Sequence, residues 1–120
     1  EGGSGGALAL AIGDKVHMME NAIYSILSPE GFASILWKDA SKYKKAALDM
    51  KITSKDLKEF NIIDGIIEES KDGAHKSPMI AVNNIKEKIL NDLNELMKID
   101  YDELLESRYD KFRYIDKKFK

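Results

Sequence analysis

No cysteine occurs anywhere in the 120 residues. That excludes a disulfide framework, a thiolate nucleophile and any sulfur ligand for zinc. Histidine is nearly as scarce: His17 and His75 are too few for an all-histidine metal site, and no metal is assigned. Neither sign of charge dominates. Lys and Arg total 19 against 21 Asp and Glu, a net charge of -2, which gives no global drive toward nucleic acid or a membrane surface. Long apolar runs are missing too, since nothing approaches the roughly 18–20 residues of a membrane span. No signal peptide is read at the start, so a cytoplasmic home is expected. What is present, 43% hydrophobic and 33% charged residues, supports one soluble domain or part of one.

The most informative stretch is the first. Glu1-Gly2-Gly3-Ser4-Gly5-Gly6 runs into Ala7-Leu8-Ala9-Leu10-Ala11-Ile12, a set of helix formers followed by Gly13 where a helix would end. Glycines let a backbone approach a ligand closely, and a helix beginning just after such a turn leaves amide N–H groups unpaired at its positive dipole end. The turn is therefore a candidate oxyanion site, and a bulky side chain at Gly6 is expected to crowd it. The same composition also describes a flexible linker; the helix formers that follow favour a site.

Further along, alternation around Val16 and Met18, and again through Ala22, Tyr24 and Ile26, predicts two short strands. His17 then points away from Val16 and Met18 and is expected to be solvated or edge-facing rather than catalytic. Ser28-Pro29-Glu30-Gly31 carries a cap, a first-turn proline and a first-turn acid, so a helix is predicted through Trp37. Helical spacing of Ala40, Tyr43, Ala46, Ala47 and Met50 covers Lys38 to Met50. Thr53 and Asp56 stand at capping-box spacing before a short helix that Asn61 ends. Ile62 to Ile67 suits a strand interrupted by Asp64-Gly65, and Glu68 to Lys76 reads as a loop.

Ser77-Pro78 opens the longest helix, with Val82, Ile85, Ile89, Leu93 and Leu96 on one stripe through about Lys98. Asp100 or Asp102 starts the last helix, with Leu105, Tyr109, Phe112 and Ile115 on its stripe. Both stripes read as packing surfaces that need a cover. From Arg108 to Lys120 six basic residues face two acids, a local charge of +4, best explained as a solvated, frayed helix end.

Taken in order, Glu1 to Ala9, Ser28-Pro-Glu-Gly31, Ala33-Ser-Ile-Leu-Trp-Lys38, Leu57-Lys-Glu59 with Ile63-Asp64 and Ile66-Ile67, Gly73-Ala-His75 and Arg108-Tyr109 closely resemble the C-terminal part of the carboxyltransferase α subunit of bacterial and plastid acetyl-CoA carboxylase. Phe32 departs from the small cysteine common in that family, and Lys71-Asp72 from a more apolar pair. The resemblance implies an α/β fold, the C-terminal part of a crotonase-like (ClpP/crotonase) spiral. It would be predominantly helical with a few short strands, residues 1–76 belonging to the core and 77–120 forming a helical extension.

It also implies transfer of a carboxyl group from carboxybiotin to acetyl-CoA, giving malonyl-CoA for fatty-acid synthesis. By position in the motif, the backbone amides of Gly5 and Gly6 would stabilise the oxyanion, with Gly2 and Gly3 shaping the turn. Ser28, Glu30 and Gly31 would border the biotin pocket, although their capping chemistry already suffices to explain them. His75 would either meet a CoA phosphate or satisfy a backbone carbonyl. The implied partners are a β subunit, in a heterotetramer of two α and two β chains, the biotin carboxyl carrier protein and biotin carboxylase.

A different class of reading needs no chemistry in the chain: a non-catalytic helical assembly module that buries the Val82–Leu96 and Leu105–Ile115 stripes against a partner subunit. Nucleic-acid binding through the basic tail is disfavoured, because acids interleaved with the lysines blunt phosphate attraction.

Overall fold

The computed structural model describes residues 1–115. It begins with β1 (Gly2–Gly3) and α1 (Ser4–Ala11), followed by β2 (His17–Met19), β3 (Tyr24–Ser25) and α2 (Pro29–Trp37). A 3-10 turn (Ala40–Lys42) leads into α3 (Tyr43–Asp49), α4 (Ser54–Glu59) and β4 (Gly65–Ile67). α5 (Pro78–Leu96) and α6 (Tyr101–Ile115) complete the described residues.

Local chemistry sets most of the boundaries. The Ser28 hydroxyl accepts the Gly31 N–H at 3.1 Å with Pro29 in the first turn, so Ser28→Ala is expected to cost about 1 kcal/mol of stability in urea unfolding. Thr53 and Asp56 form a reciprocal capping box, and Asn61 ends α4 in the left-handed region at φ 58°. Three expectations are corrected. α1 begins at Ser4 rather than after the glycines, so Gly5 and Gly6 lie inside its first turn. Helix does not run on from Lys38, because Lys38 adopts a left-handed cap at φ 56° and Asp39 caps a separate turn. Ile62 and Ile63 are not strand: both N–H groups turn back to the Leu57 carbonyl, at 2.9 and 3.4 Å, and close the end of α4.

The strands do not pair in sequence order. β1 lies parallel to β3, with Gly2 opposite Tyr24, and β2 lies parallel to β4, with His17 opposite Gly65. Parallel pairs normally sit inside larger covered sheets, and here each has two strands. Among the described residues the buried apolar cluster is small: Met18, Leu57 and Ile63, flanked by Val16, Ala22, Tyr24, Phe60, Ile62 and Ile66. The accessible surface is 8769 Å², against about 6,500 Å² for a compact monomer of this mass. The radius of gyration, 16.4 Å, exceeds the roughly 13–14 Å of a compact chain of this length. Apolar side chains stand without cover: Leu8 and Leu10 on α1 are 68% and 70% exposed.

The long helices bury only part of their apolar stripes and turn charged residues inward beside them. On α5 the sheltered positions are Ala81, Asn84, Ile85, Lys88, Asp92 and Leu96, while Val82, Ile89 and Leu93 remain about half exposed. On α6 they are Leu104, Arg108, Lys111 and Ile115. Lys111 Nζ donates to Asp64 Oδ2 at 2.6 Å and to the Asp14 carbonyl at 3.2 Å, and Arg108 pairs with Asp14 at 3.4 Å. Two cations expected in a solvated tail are thus latches holding α6 to the Gly13–Val16 segment. Lys117, Lys118 and Lys120 of that tail lie outside the described residues.

Candidate functional site

A strand, a left-handed residue and a helix follow one another within the first eleven positions. Gly3 caps α1 in extended conformation and Ser4 enters it at φ 53°, a conformation unfavourable for a residue with a Cβ. The amides of Gly5 and Gly6 fall in the first turn, where no carbonyl four residues back can serve them. No acidic side chain occupies that turn to offset the positive end of the helix dipole. A Cβ built on Gly5 or Gly6 would meet no atom within 4 Å apart from its chain neighbours and its own helix backbone. This corrects the expectation that a side chain at Gly6 crowds the turn: within the chain the space is open. Two glycines in a helix cost roughly 1 kcal/mol each relative to alanine, and nothing inside the chain requires them. The arrangement can hold an anionic oxygen against two N–H donors.

Beneath the turn lies Tyr24. Its ring packs on Gly2 so closely that a Cβ there would stand 2.8 Å from Cδ2, so any side chain at position 2 would force the ring to shift. Its hydroxyl donates to the Ala7 carbonyl at 2.8 Å. Burial pushes the Tyr24 phenol above its ordinary pKa, so it remains a donor at neutral pH. Tyr24, Ser4, Gly5, Ala7, Leu8 and Ile26 line an apolar cavity of about 390 Å³. Sequence patterning identified Tyr24 only as a strand residue; its contacts arise from pairing across 22 positions of register.

The other expected site residues divide. Ser28 and Pro29 line a second cavity, of about 240 Å³, together with Gly2, Gly3 and Ser4, so the Ser-Pro-Glu-Gly block does come beside the glycine turn. The Ser28 hydroxyl itself is engaged in capping α2. Glu30 is exposed in the first turn of that helix, and Gly31 lies against Leu27, whose Cδ1 would be 3.2 Å from a Cβ. His75 is exposed on the loop after Gly73 and lines none of the cavities described here. That loop is tied down by Glu69, which accepts N–H groups from Asn21 and Ala74. These bonds, the Asn21 backbone first, hold the Glu69 carboxyl below its usual range.

His17 lies on the edge strand β2, as one of the two expectations had it, but it is not solvated. It is 11% exposed, with Nε2 2.5 Å from Oδ2 of Asp92, whose side chain is 10% exposed; Lys88 Nζ reaches the other carboxylate oxygen at 3.3 Å. The ring packs on Gly65, where a Cβ would stand 2.8 Å from Nδ1. Burial alone would raise the Asp92 pKa; the bonds from His17 and Lys88 outweigh it and leave the carboxyl below its ordinary value. The signal in the sequence is Asp92 itself, an acid set among Ile89, Leu90 and Leu93 at i, i+4 from Lys88. Among the described residues no group of three or more His, Cys, Asp or Glu could hold a metal ion, and no helix is long and apolar enough to cross a membrane.

Comparison with known proteins bears on the same segments. A family model described as acetyl co-enzyme A carboxylase carboxyltransferase-like matches residues 1–116. A protein of Clostridium botulinum (strain Alaska E43 / Type E3), named acetyl-coenzyme A carboxylase carboxyl transferase subunit alpha, is 59% identical over 96% of this chain and 42% of its own length. One of the same name from Clostridium perfringens (strain SM101 / Type A) is 61% identical over 97% of the chain and 43% of its own length. A Clostridium tetani protein named as subunits beta/alpha is 56% identical over 96% of the chain and 20% of its own length. The chain spans about two fifths of the first two relatives, at 42% and 43%. With a family match over residues 1–116 and identities near 60%, this chain belongs to the acetyl co-enzyme A carboxylase carboxyltransferase-like family.

Proposed function

We propose that this sequence is the C-terminal part of a carboxyltransferase α subunit of acetyl-CoA carboxylase, acting in the cytoplasm with a β subunit to move a carboxyl group from carboxybiotin to acetyl-CoA. In this reading residues 1–76 complete a crotonase-like core and 77–120 form its helical extension. The carrier protein presents carboxybiotin, formed earlier by biotin carboxylase. Cleavage of the N–carboxyl bond releases CO₂ and leaves negative charge on the ureido group, chiefly on its oxygen. The Gly5 and Gly6 amides receive that oxygen, while the β subunit stabilises the enolate of the acetyl thioester. The ureido nitrogen takes the α-proton, and the enolate carbon attacks CO₂, so malonyl-CoA and biotin result with no side-chain nucleophile required.

The observation that carries this reading is the pair of first-turn glycine amides with open space where their side chains would stand. The C. tetani relative's name, which joins beta and alpha subunits, supports the β partner. Support for assembly comes also from the exposed faces of α1 and α5; on that evidence the module reading describes a second task of the same chain. The test uses the full-length subunit bearing this sequence, mixed with its β subunit, malonyl-CoA labelled in the free carboxyl and a soluble biotin derivative. Label passes to biotin only when both subunits are present. No transfer from an assembled complex overturns the proposal.

A further inference from the structure

We propose that Tyr24 is a positioning residue for the glycine turn, tying its two limbs together so that the Gly5 and Gly6 amides keep a fixed direction. The inference rests on the oxyanion role just proposed for those amides. Residues 3–6 are three glycines and a serine, and a Cβ built on Gly5 or Gly6 would find no packing partner within 4 Å outside its own helix backbone. Ser4 sits in a left-handed conformation that its own Cβ disfavours. Such a segment has little to hold its shape from within, so its conformation is set at its ends.

Tyr24 reaches both ends. On the strand side its ring covers Gly2, opposite which it lies in the parallel register of β1 and β3, and Gly2 N–H donates to the neighbouring Ile23 carbonyl at 3.0 Å. On the helix side its hydroxyl holds the Ala7 carbonyl, one residue past the second amide. Tyr24 is itself anchored, its N–H donating to the Ile52 carbonyl at 3.1 Å. One side chain thereby spans the four residues whose direction matters. Phenylalanine keeps the ring on Gly2 and removes only the tie to α1.

The test is Tyr24→Phe in the full-length subunit assembled with its β subunit. A displacement of the amides by a fraction of an ångström is expected to lower kcat for malonyl-CoA formation about tenfold while KM for acetyl-CoA stays within about twofold. Amide hydrogen exchange over residues 8–11, whose N–H groups pair within α1, is expected to quicken in the same variant. Unchanged kcat per assembled complex, or a loss confined to assembly or melting temperature, assigns Tyr24 to packing and overturns the proposal. Gly6→Val run alongside separates the two ideas. If Gly6→Val abolishes turnover and Tyr24→Phe does not lower it, the tie is wrong and the oxyanion role stands; if Gly6→Val is active, the oxyanion role itself fails.

Discussion

Valine in place of Gly6, in the complete α–β complex, lowers malonyl-CoA formation by about 10²–10³-fold or more, the loss that follows when one preorganised oxyanion donor is removed. The fold is expected to survive, because a Cβ at this position meets nothing within 4 Å apart from its chain neighbours and its own helix backbone and valine exchanges a poor helix residue for a better one. Helical Cα–Cβ bonds tilt toward the N-terminus, so the branched side chain projects toward the space that an oxygen must enter to reach the first-turn amides. Rate and stability therefore part company: turnover collapses while assembly, followed by sedimentation, stays intact. Gly6→Ala, with one carbon in the same direction, is expected to fall between.

The second large effect is on stability. Asp92→Ala leaves His17 Nε2 without its acceptor in a side chain only 11% exposed, and Nδ1 already has no hydrogen-bond partner. Losing one member of so sheltered a pair is expected to cost about 3 kcal/mol in urea unfolding of the full-length subunit at neutral pH. A cost under about 0.5 kcal/mol, the range of ordinary surface changes, would contradict this account of the pair. The pH dependence has a definite sign. The folded-state pKa of Asp92 is depressed, so its contribution is fully present above the unfolded carboxylate value of about 4 and is lost as pH falls through the lower folded value. Asp92→Asn, which keeps the shape without the charge, is expected to flatten that part of the acid unfolding profile.

Caps were the most legible features of the sequence, because each is a short-range interaction between named residues. Ser28 with Gly31, Thr53 with Asp56, and Asn61 in its left-handed cap all lie where local chemistry puts them. The start of α1 was not legible, since glycine propensity argues against helix at Gly5 and Gly6, yet the helix begins at Ser4. Strand partners were equally hidden. Alternation shows that Val16 to Met18 is extended and that His17 faces the side opposite Met18. It carries no information about what waits there, and Asp92 lies 75 residues away.

The helical stripes show a further limit. Periodicity finds the apolar face of α5, but within this chain the inward line is drawn by His17 toward Asp92 and Lys88, and Val82, Ile89 and Leu93 are left half exposed. On α6, Asp14 and Asp64 draw in Arg108 and Lys111 in the same way. Charge pairs accompany the inward faces of both helices, and the exposed part of each stripe, Val82, Ile89 and Leu93 on α5 and Leu105, Tyr109 and Phe112 on α6, remains available for a partner. The glycine turn was recognisable from composition, whereas Tyr24 beneath it emerged only once β1 was paired with β3.

If two glycine amides at the head of α1 receive the charge that biotin acquires on giving up its carboxyl group, a bound biotin must lie against them. The most direct measurement is a crystal structure of the complete α–β complex with a biotin derivative bound. The ureido oxygen is expected about 2.7–3.1 Å from the nitrogens of both Gly5 and Gly6. A ureido oxygen held by other donors, with these two nitrogens directed away from it, would contradict the account.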